Sequence, residues 1–360
     1  MSAIAAHAWL DVETAAELRA LVEAPTAQAR VRESWKYTPV LRGLNAVANV
    51  AATDSVVAGA PDGSLRVDVA PTASEMALLR ERACACPPAA KLLLGARTID
   101  RLILDTSPAS PVQLRALSPV RPLVVHIAPT VRATILDDVD GASAGWLLVC
   151  LDTAADLDFT RVRPSCPRDE WQQLQFDLAD DAQLIARHFC RGAGLRRLDA
   201  LVRLLGRNAS ATISGAWRVD AGDRLDQQWH VEHLAPGTRS EQRHHGIVAD
   251  RGHTTFRGRI YIAPDCPGVE ADLVNRNLLL DPGAVCNTKP ELEILSDDVR
   301  CSHGATVGQL AAESLFYLAS RGLDEATART LLAAGFLNEC IDGPGAETAA
   351  ALLRTETDHD

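Results

Sequence analysis

Between residues 96 and 300 the chain is cut into short β-rich runs with almost no room for helices between them. RTIDRLILD, RPLVVHIAP, VRATILDD, GWLLVCLD, LDALVRLLG, ATISGAWRV, QWHVEHLAP, GRIYIAPD and LEILSDD are each bounded by Pro, Gly, Asp or Asn, the residues that end strands. One helical interruption is expected, over Asp169–Cys190. Strands that follow one another without regular helical crossovers disfavour a doubly wound α/β sheet. A sandwich, a barrel and a parallel β-helix remain, and with no strict short repeat visible the periodicity alone does not choose.

The flanks have a different texture. Residues 1–24 read as a helix, with Thr14 as a cap and Leu18, Leu21 and Val22 as its apolar stripe before Pro25. Residues 25–95 are mixed, with a short helix expected around Ser74–Arg82. After 300 the period becomes helical. Val307–Ser320 and Asp324–Cys340 predict a hairpin, with Gly322 as a left-handed C′ residue and Asp324 capping the second helix. The division expected is 1–95 mixed and helical, 96–300 β-rich core, 301–342 helical hairpin, and 343–360 a flexible acidic tail.

Composition removes whole classes of function. With 36 Lys and Arg against 47 Asp and Glu, the net charge of −11 disfavours nucleic acid and anionic membrane. Aromatic residues at 4% offer little for base stacking. No stretch approaches the roughly 20 apolar residues of a membrane span, and the first residues lack the cationic start of a secretory signal. Nine scattered cysteines predict reduced thiols and a cytoplasmic setting rather than a disulfide framework. Only Lys36, Lys91 and Lys289 occur, none after glycine, so the chain has no nucleotide-binding phosphate loop. H-E-x-x-H is also missing.

Two residues stand out chemically. Cys301 and His303 fall where the last β-run, Leu292–Asp297, meets the first C-terminal helix. In extended backbone, positions i and i+2 face one way, and thiolate with imidazole suits iron, zinc or copper. Two ligands do not close a site, so others must come from elsewhere in the chain or from another chain. The alternative is a buried thiol beside a histidine that orients the turn. Cys84 and Cys86 read as incidental loop thiols. His230, His233, His244, His245 and His253 fit no helix face and read as solvated loop residues. Lys289 and Glu291 read as a solvated ion pair.

Four ordered blocks then carry a resemblance. They are Asn275-Arg276-Asn277-Leu278-Leu279-Leu280, Thr288-Lys289-Pro290-Glu291-Leu292-Glu293-Ile294, Asp297-Asp298-Val299-Arg300-Cys301-Ser302-His303-Gly304-Ala305-Thr306-Val307-Gly308-Gln309-Leu310 and Leu315-Phe316-Tyr317-Leu318-Ala319-Ser320-Arg321-Gly322. Trp35-Lys36-Tyr37-Thr38-Pro39 is a fifth. Together they resemble the SufB/SufD family of SUF iron–sulfur cluster assembly scaffolds, on its SufD side, because His303 is followed by Gly304-Ala305 where SufB-like chains read His-Glu-Ala. The chain departs from the family pattern at His245, where a lysine is usual, and at Val269–Asn275.

The resemblance implies a mainly β fold, a right-handed parallel β-helix between an N-terminal mixed or helical region and a C-terminal helical domain. It implies a non-catalytic subunit that pairs with SufB through the β-helix and docks the SufC ATPase, which hydrolyses ATP, through the C-terminal helices. Phe316, Tyr317, Leu318, Arg321 and Gly322 are the expected docking residues. A nascent, transient Fe–S cluster is expected at the SufB interface, with His303 as ligand and Cys301 as its weaker neighbour. A homodimer is a further expectation for the isolated chain. Two other readings stay open: a β-helix carbohydrate-active enzyme using Asp297 and Asp298, and a purely structural partner of SufB without a metal ligand.

Overall fold

The computed structural model describes residues 56–75, 98–116, 121–138, 144–166 and 169–354. It opens with two short strands, β1 (Val56–Ala58) and β2 (Leu65–Val69). There follow β3 (Ile99–Leu104), β4 (Val112–Ala116), β5 (Leu123–Ile127), β6 (Arg132–Asp137), β7 (Ala144–Leu151) and β8 (Asp156–Arg163). Longer strands come next: β9 (Glu170–Leu178), β10 (Gln183–Arg191), β11 (Arg196–Leu204), β12 (Ser210–Val219) and β13 (Arg224–His233). The series ends with β14 (Arg239–Val248), β15 (His253–Ile262), β16 (Val269–Leu279), β17 (Val285–Ile294) and β18 (Val299–Gly308).

Strands alternate between two sheets, the even-numbered from β4 to β18 in one and the odd-numbered from β3 to β17 in the other. Within each sheet every such strand pairs in parallel with the strand two places on. That topology is a parallel β-solenoid, the fold the resemblance implied. β1 and β2 pair antiparallel with β4 and β3 and close the N-terminal end of both sheets. The other end is different: among the described residues, β17 and β18 are the last strands and have no further strand beside them.

The coil repeat is written in one corner. Thr130, Ala154, Asp181, Asn208, Gly237 and Gly268 all have positive φ, and their separations grow from 24 to 31 residues. Each amide in this stack donates to a carbonyl of the following coil, as Asn208 to Pro236 and Gly237 to Pro267. Gly, Asn and Asp tolerate this left-handed backbone best, which explains the punctuation seen in the sequence.

Inward-facing side chains stack coil on coil. Leu157, Leu184 and Ala211 align in one sheet, Phe176, Val202, Val231 and Ile260 in the other. Phe159 meets Phe176 edge-on at 5.1 Å, and Trp217 stacks on Phe256 at 5.8 Å. Towards the open end the interior turns polar. Asn275 Oδ1 accepts from Thr288 Oγ1 (2.8 Å) and Asn277 Nδ2 (2.7 Å), tying β16 to β17.

Three helices follow: α1 (Ala312–Ser320), α2 (Glu325–Asn338) and α3 (Ala346–Leu353). Asp324 caps α2 by accepting from the Thr327 amide at 2.9 Å, as its sequence position indicated. Ala333, Leu337, Ala349 and Leu353 pack on Val162, Phe189, Ala216 and Ile247, covering the outer face of the even-numbered sheet.

Several expectations need correction. Asp169–Cys190 is not helical; it forms β9 and β10, because Leu174, Phe176 and Leu178 alternate inward and both strands are paired on either side. The segment Val299–Gly308 is strand, so the first helix begins at Ala312 rather than Val307 and the solenoid runs past 300. Residues 346–353 are a packed helix instead of a flexible tail. The expected helix at 1–24, the Trp35–Pro39 block, Cys84 and Cys86 lie outside the described residues, as does most of Ser74–Arg82.

Candidate functional site at the open end

β18 carries both singled-out residues, at the middle of the last strand rather than at a seam with the helix. Parallel pairing sets Cys301 beside Ala271 and His303 beside Leu273. Both partners are buried inward residues. Cys301 and His303 therefore share the inward side of β18, about 7 Å apart along the strand. Among the described residues, no later coil covers them. Cys301 is half-buried against the core, whereas His303 is exposed. Burial, with the Asp272 carboxylate as a lesser cause, pushes the Cys301 thiol up, so it is a thiol at neutral pH. Ser302 faces the opposite side and donates to Asp272.

The frame under these two residues is built by side chains. Asn277 Nδ2 donates to the Thr306 carbonyl (3.4 Å) as well as to Asn275, and Asn275 Nδ2 donates to the His244 carbonyl (3.2 Å). Asn275 and Asn277 thus connect β14, β16, β17 and β18. The sequence flagged both asparagines only as part of a family block; their alternation with Leu273 and Leu279 was the available sign that they point inward.

Among the described residues, no three His, Cys, Asp or Glu side chains gather as a metal site. Cys301 and His303 form an incomplete donor set among the described residues, and soft sulfur with imidazole fits iron or zinc only if further ligands are added. The other candidates resolve differently. His233, His244 and His245 are buried in strands, which corrects their reading as solvated loop residues. His245 fills the place of the expected lysine: its Nδ1 lies 2.7 Å from the Phe336 carbonyl, and its ring stacks on Phe336 at 4.5 Å. Asp297 and Asp298 are exposed on the turn between β17 and β18. Lys289 pairs with Glu291 at 2.9 Å. The described cysteines are all free.

Helix α1 buries none of its residues. Phe316 is 76% exposed and Tyr317 56%, Leu318 is half-buried, and the Arg321 guanidinium lies 5.2 Å from the Tyr317 ring centre. Arg321 and Gly322 are exposed at the turn that follows. Exposed large apolar residues also mark the open end itself, at Val285, Ile294, Leu295 and Val307.

Residues 122–336 match the family described as "SUF system FeS cluster assembly, SufBD core domain". The chain belongs to the SufBD core family. The matched region runs from the start of β5 to near the end of α2, and so takes in Cys301, His303 and α1. Relatives agree. The chain is 35% identical to the iron-sulfur cluster assembly protein SufD of Escherichia coli (strain K12) over 165 residues, 46% of this chain and 39% of that protein. It is 43% identical over 107 residues to the SufBD family protein slr0076 of Synechocystis, 30% of this chain and 24% of that one. It is 32% identical over 116 residues to the assembly protein SufB of Bacillus subtilis, 32% of this chain and 25% of that one. Each of these matches spans less than half of the relative's own length. No helix among the described residues is long and apolar enough to cross a membrane.

Proposed function

We propose that this SufBD-family chain is a non-catalytic, SufD-type scaffold subunit of iron–sulfur cluster assembly. It pairs with SufB through the open end of the solenoid and presents α1 to the SufC ATPase, which supplies ATP hydrolysis. The observation that carries this reading is His303: an exposed imidazole on the inward side of a terminal strand, next to an unpaired edge. A strand edge with free N–H and C=O groups and four exposed apolar side chains is a surface that another chain can extend.

In this arrangement the nascent cluster is cargo. His303, with Cys301 as the weaker donor, supplies at most two ligands, and the partner supplies the rest. Imidazole brings no negative charge, so it holds an iron–sulfur cluster less tightly than thiolate does. A site divided between two chains opens when the chains move against each other, which gives the ATPase something to act on. Phe316 and Tyr317 offer the apolar area that a docking helix needs.

Anaerobic co-purification with SufB and SufC tests the assignment. His303→Ala is expected to leave the three-protein complex intact and to abolish the visible absorption of a reconstituted cluster. Cluster absorption equal to that of the unaltered complex would remove His303 from the site and favour a purely structural role.

A further inference from the structure

Backbone ladders fix each strand within its own sheet, but they do not set the distance between the two sheets. In the earlier coils packed side chains do that, as where Phe159 meets Phe176 and Trp217 stacks on Phe256. The last coil is less well filled. Cys286, Leu292, Val299 and Cys301 are only partly buried, and Val307 is 43% exposed. Among the described residues, β17 and β18 also have one neighbouring strand each in their sheets. His303 therefore stands on a strand that apolar packing alone holds weakly.

Hydrogen-bonded side chains make up the difference. Thr288 is in register with the interior Phe256 and points inward from β17, and its Oγ1 donates to Asn275 Oδ1 at 2.8 Å. The same oxygen accepts from Asn277 Nδ2 at 2.7 Å, and Asn277 Nδ2 also reaches the Thr306 carbonyl of β18 at 3.4 Å. Asn275 Nδ2 anchors this chain of bonds to the preceding coil, at the His244 carbonyl. One continuous path thus runs from β17 through β16 to β18. It passes close to the imidazole, since Asn275 is in register with Ala305 and Asn277 with Val307, on the same side of β18 as His303. Both asparagines are at most 2% exposed, so water does not compete for these bonds. Leaving a buried partner unbonded there is costly. A short amide donates and accepts at once, which an apolar side chain of the same size does not.

We propose that Thr288, Asn275 and Asn277 are positioning residues for His303, resting on the reading of that imidazole as a cluster ligand. They form a clamp that fixes the gap between the two open strands, and with it the place where His303 meets ligands from another chain.

The test compares Thr288→Val, which keeps the shape and removes the hydroxyl, with Thr288→Ser, which restores it. Thr288 is half-buried, so neither change disturbs the deep core. In the isolated full chain, hydrogen exchange of the β18 amides is expected to quicken about fivefold or more in Thr288→Val and to recover in Thr288→Ser. The thermal midpoint should move by less than about 3 °C in both. In the complex with SufB and SufC, the visible absorption of a reconstituted cluster should fall about twofold or more in Thr288→Val and recover in Thr288→Ser. Unchanged exchange in Thr288→Val, or no recovery in Thr288→Ser, would overturn the clamp. Faster exchange with full cluster absorption would overturn its link to His303. His303→Ala run alongside separates the two readings. A cluster kept in His303→Ala removes the ligand and with it the need to position it, whereas a cluster lost there and kept in Thr288→Val removes the clamp alone.

Discussion

His233 is locked between two hydroxyls, with Nδ1 2.8 Å from Thr238 Oγ1 and Nε2 2.9 Å from Ser240 Oγ. Burial holds it at about 4, and holds His244, between Trp229 and Phe256, at about 3. An unfolded chain protonates both histidines near pH 6.5, while the native chain does not until the pH falls much lower. Their contribution is fully present above pH 6.5 and is lost as the pH drops towards 4, at about 3 kcal/mol for His233. Denaturant midpoints measured from pH 7.5 to 5 should fall accordingly, and His233→Gln should flatten the slope. A midpoint independent of pH would contradict this. Gly246 makes a second case at this scale. A Cβ there would collide with the Trp217 ring and with Asn277 Oδ1, so Gly246→Ala is expected to lower stability by about 1–3 kcal/mol in a denaturant titration.

Helices α2 and α3 are strapped to the solenoid, whereas α1 is not. Arg187 joins Asp342 at 2.5 Å, and Arg191 Nη1 donates to the carbonyl of Arg354 at 2.9 Å, just past the end of α3. Leu337 is buried in that contact, and Leu337→Ala should cost about 2–5 kcal/mol. Phe316→Ala on α1 should change stability by less than about 0.5 kcal/mol. It should nonetheless weaken SufC capture in a pull-down, which unaltered capture would disprove. The same contrast shows what the sequence could convey about elements. Leu331, Leu332 and Phe336 announced α2 by their spacing, and Asp324 announced its start. The alanine-rich α3 has too few large apolar residues to declare a face, and at eight residues it is held by its packing on the sheet beneath it. β9 was misread although Leu174, Phe176 and Leu178 alternate, because its first half, Glu170–Gln173, buries polar side chains and Trp171 on both faces and breaks the pattern. The coil repeat stayed hidden because its corner residues drift from 24 to 31 positions apart and change identity from Thr to Ala to Asp to Gly.

For the whole molecule, the two ends of the solenoid obey opposite rules. β1 and β2 turn antiparallel and blunt the first end, while the last coil keeps two open edges. Pairing with SufB, or with a second copy when the chain is alone, should therefore fail when charge is placed on the open edge. Val307→Lys is expected to shift sedimentation of the isolated chain towards monomer while the thermal midpoint stays put; unchanged association would place the interface elsewhere. The fold class could be anticipated because the blocks carrying the family resemblance are contiguous, whereas His303 was expected at a seam with the helix and lies inside the last strand. The buried pairing of Arg161 and Arg163 with Asp137 could not be foreseen, since that carboxylate sits roughly one coil away in the chain. The open last coil also bears on how such a chain is made. During synthesis every coil is briefly the outermost one, and its edges stay sticky until the next 24 to 31 residues arrive, a matter of seconds at ribosomal speed. The finished rim carries a proline along with its charges, Lys289, Pro290, Glu291 and Glu293 on β17, whereas β15 before it has charges, Arg257 and Arg259, and no proline. A stalled ribosome would thus leave behind a nascent fragment whose rim lacks that proline, and quality control would meet this protein as half-made coils.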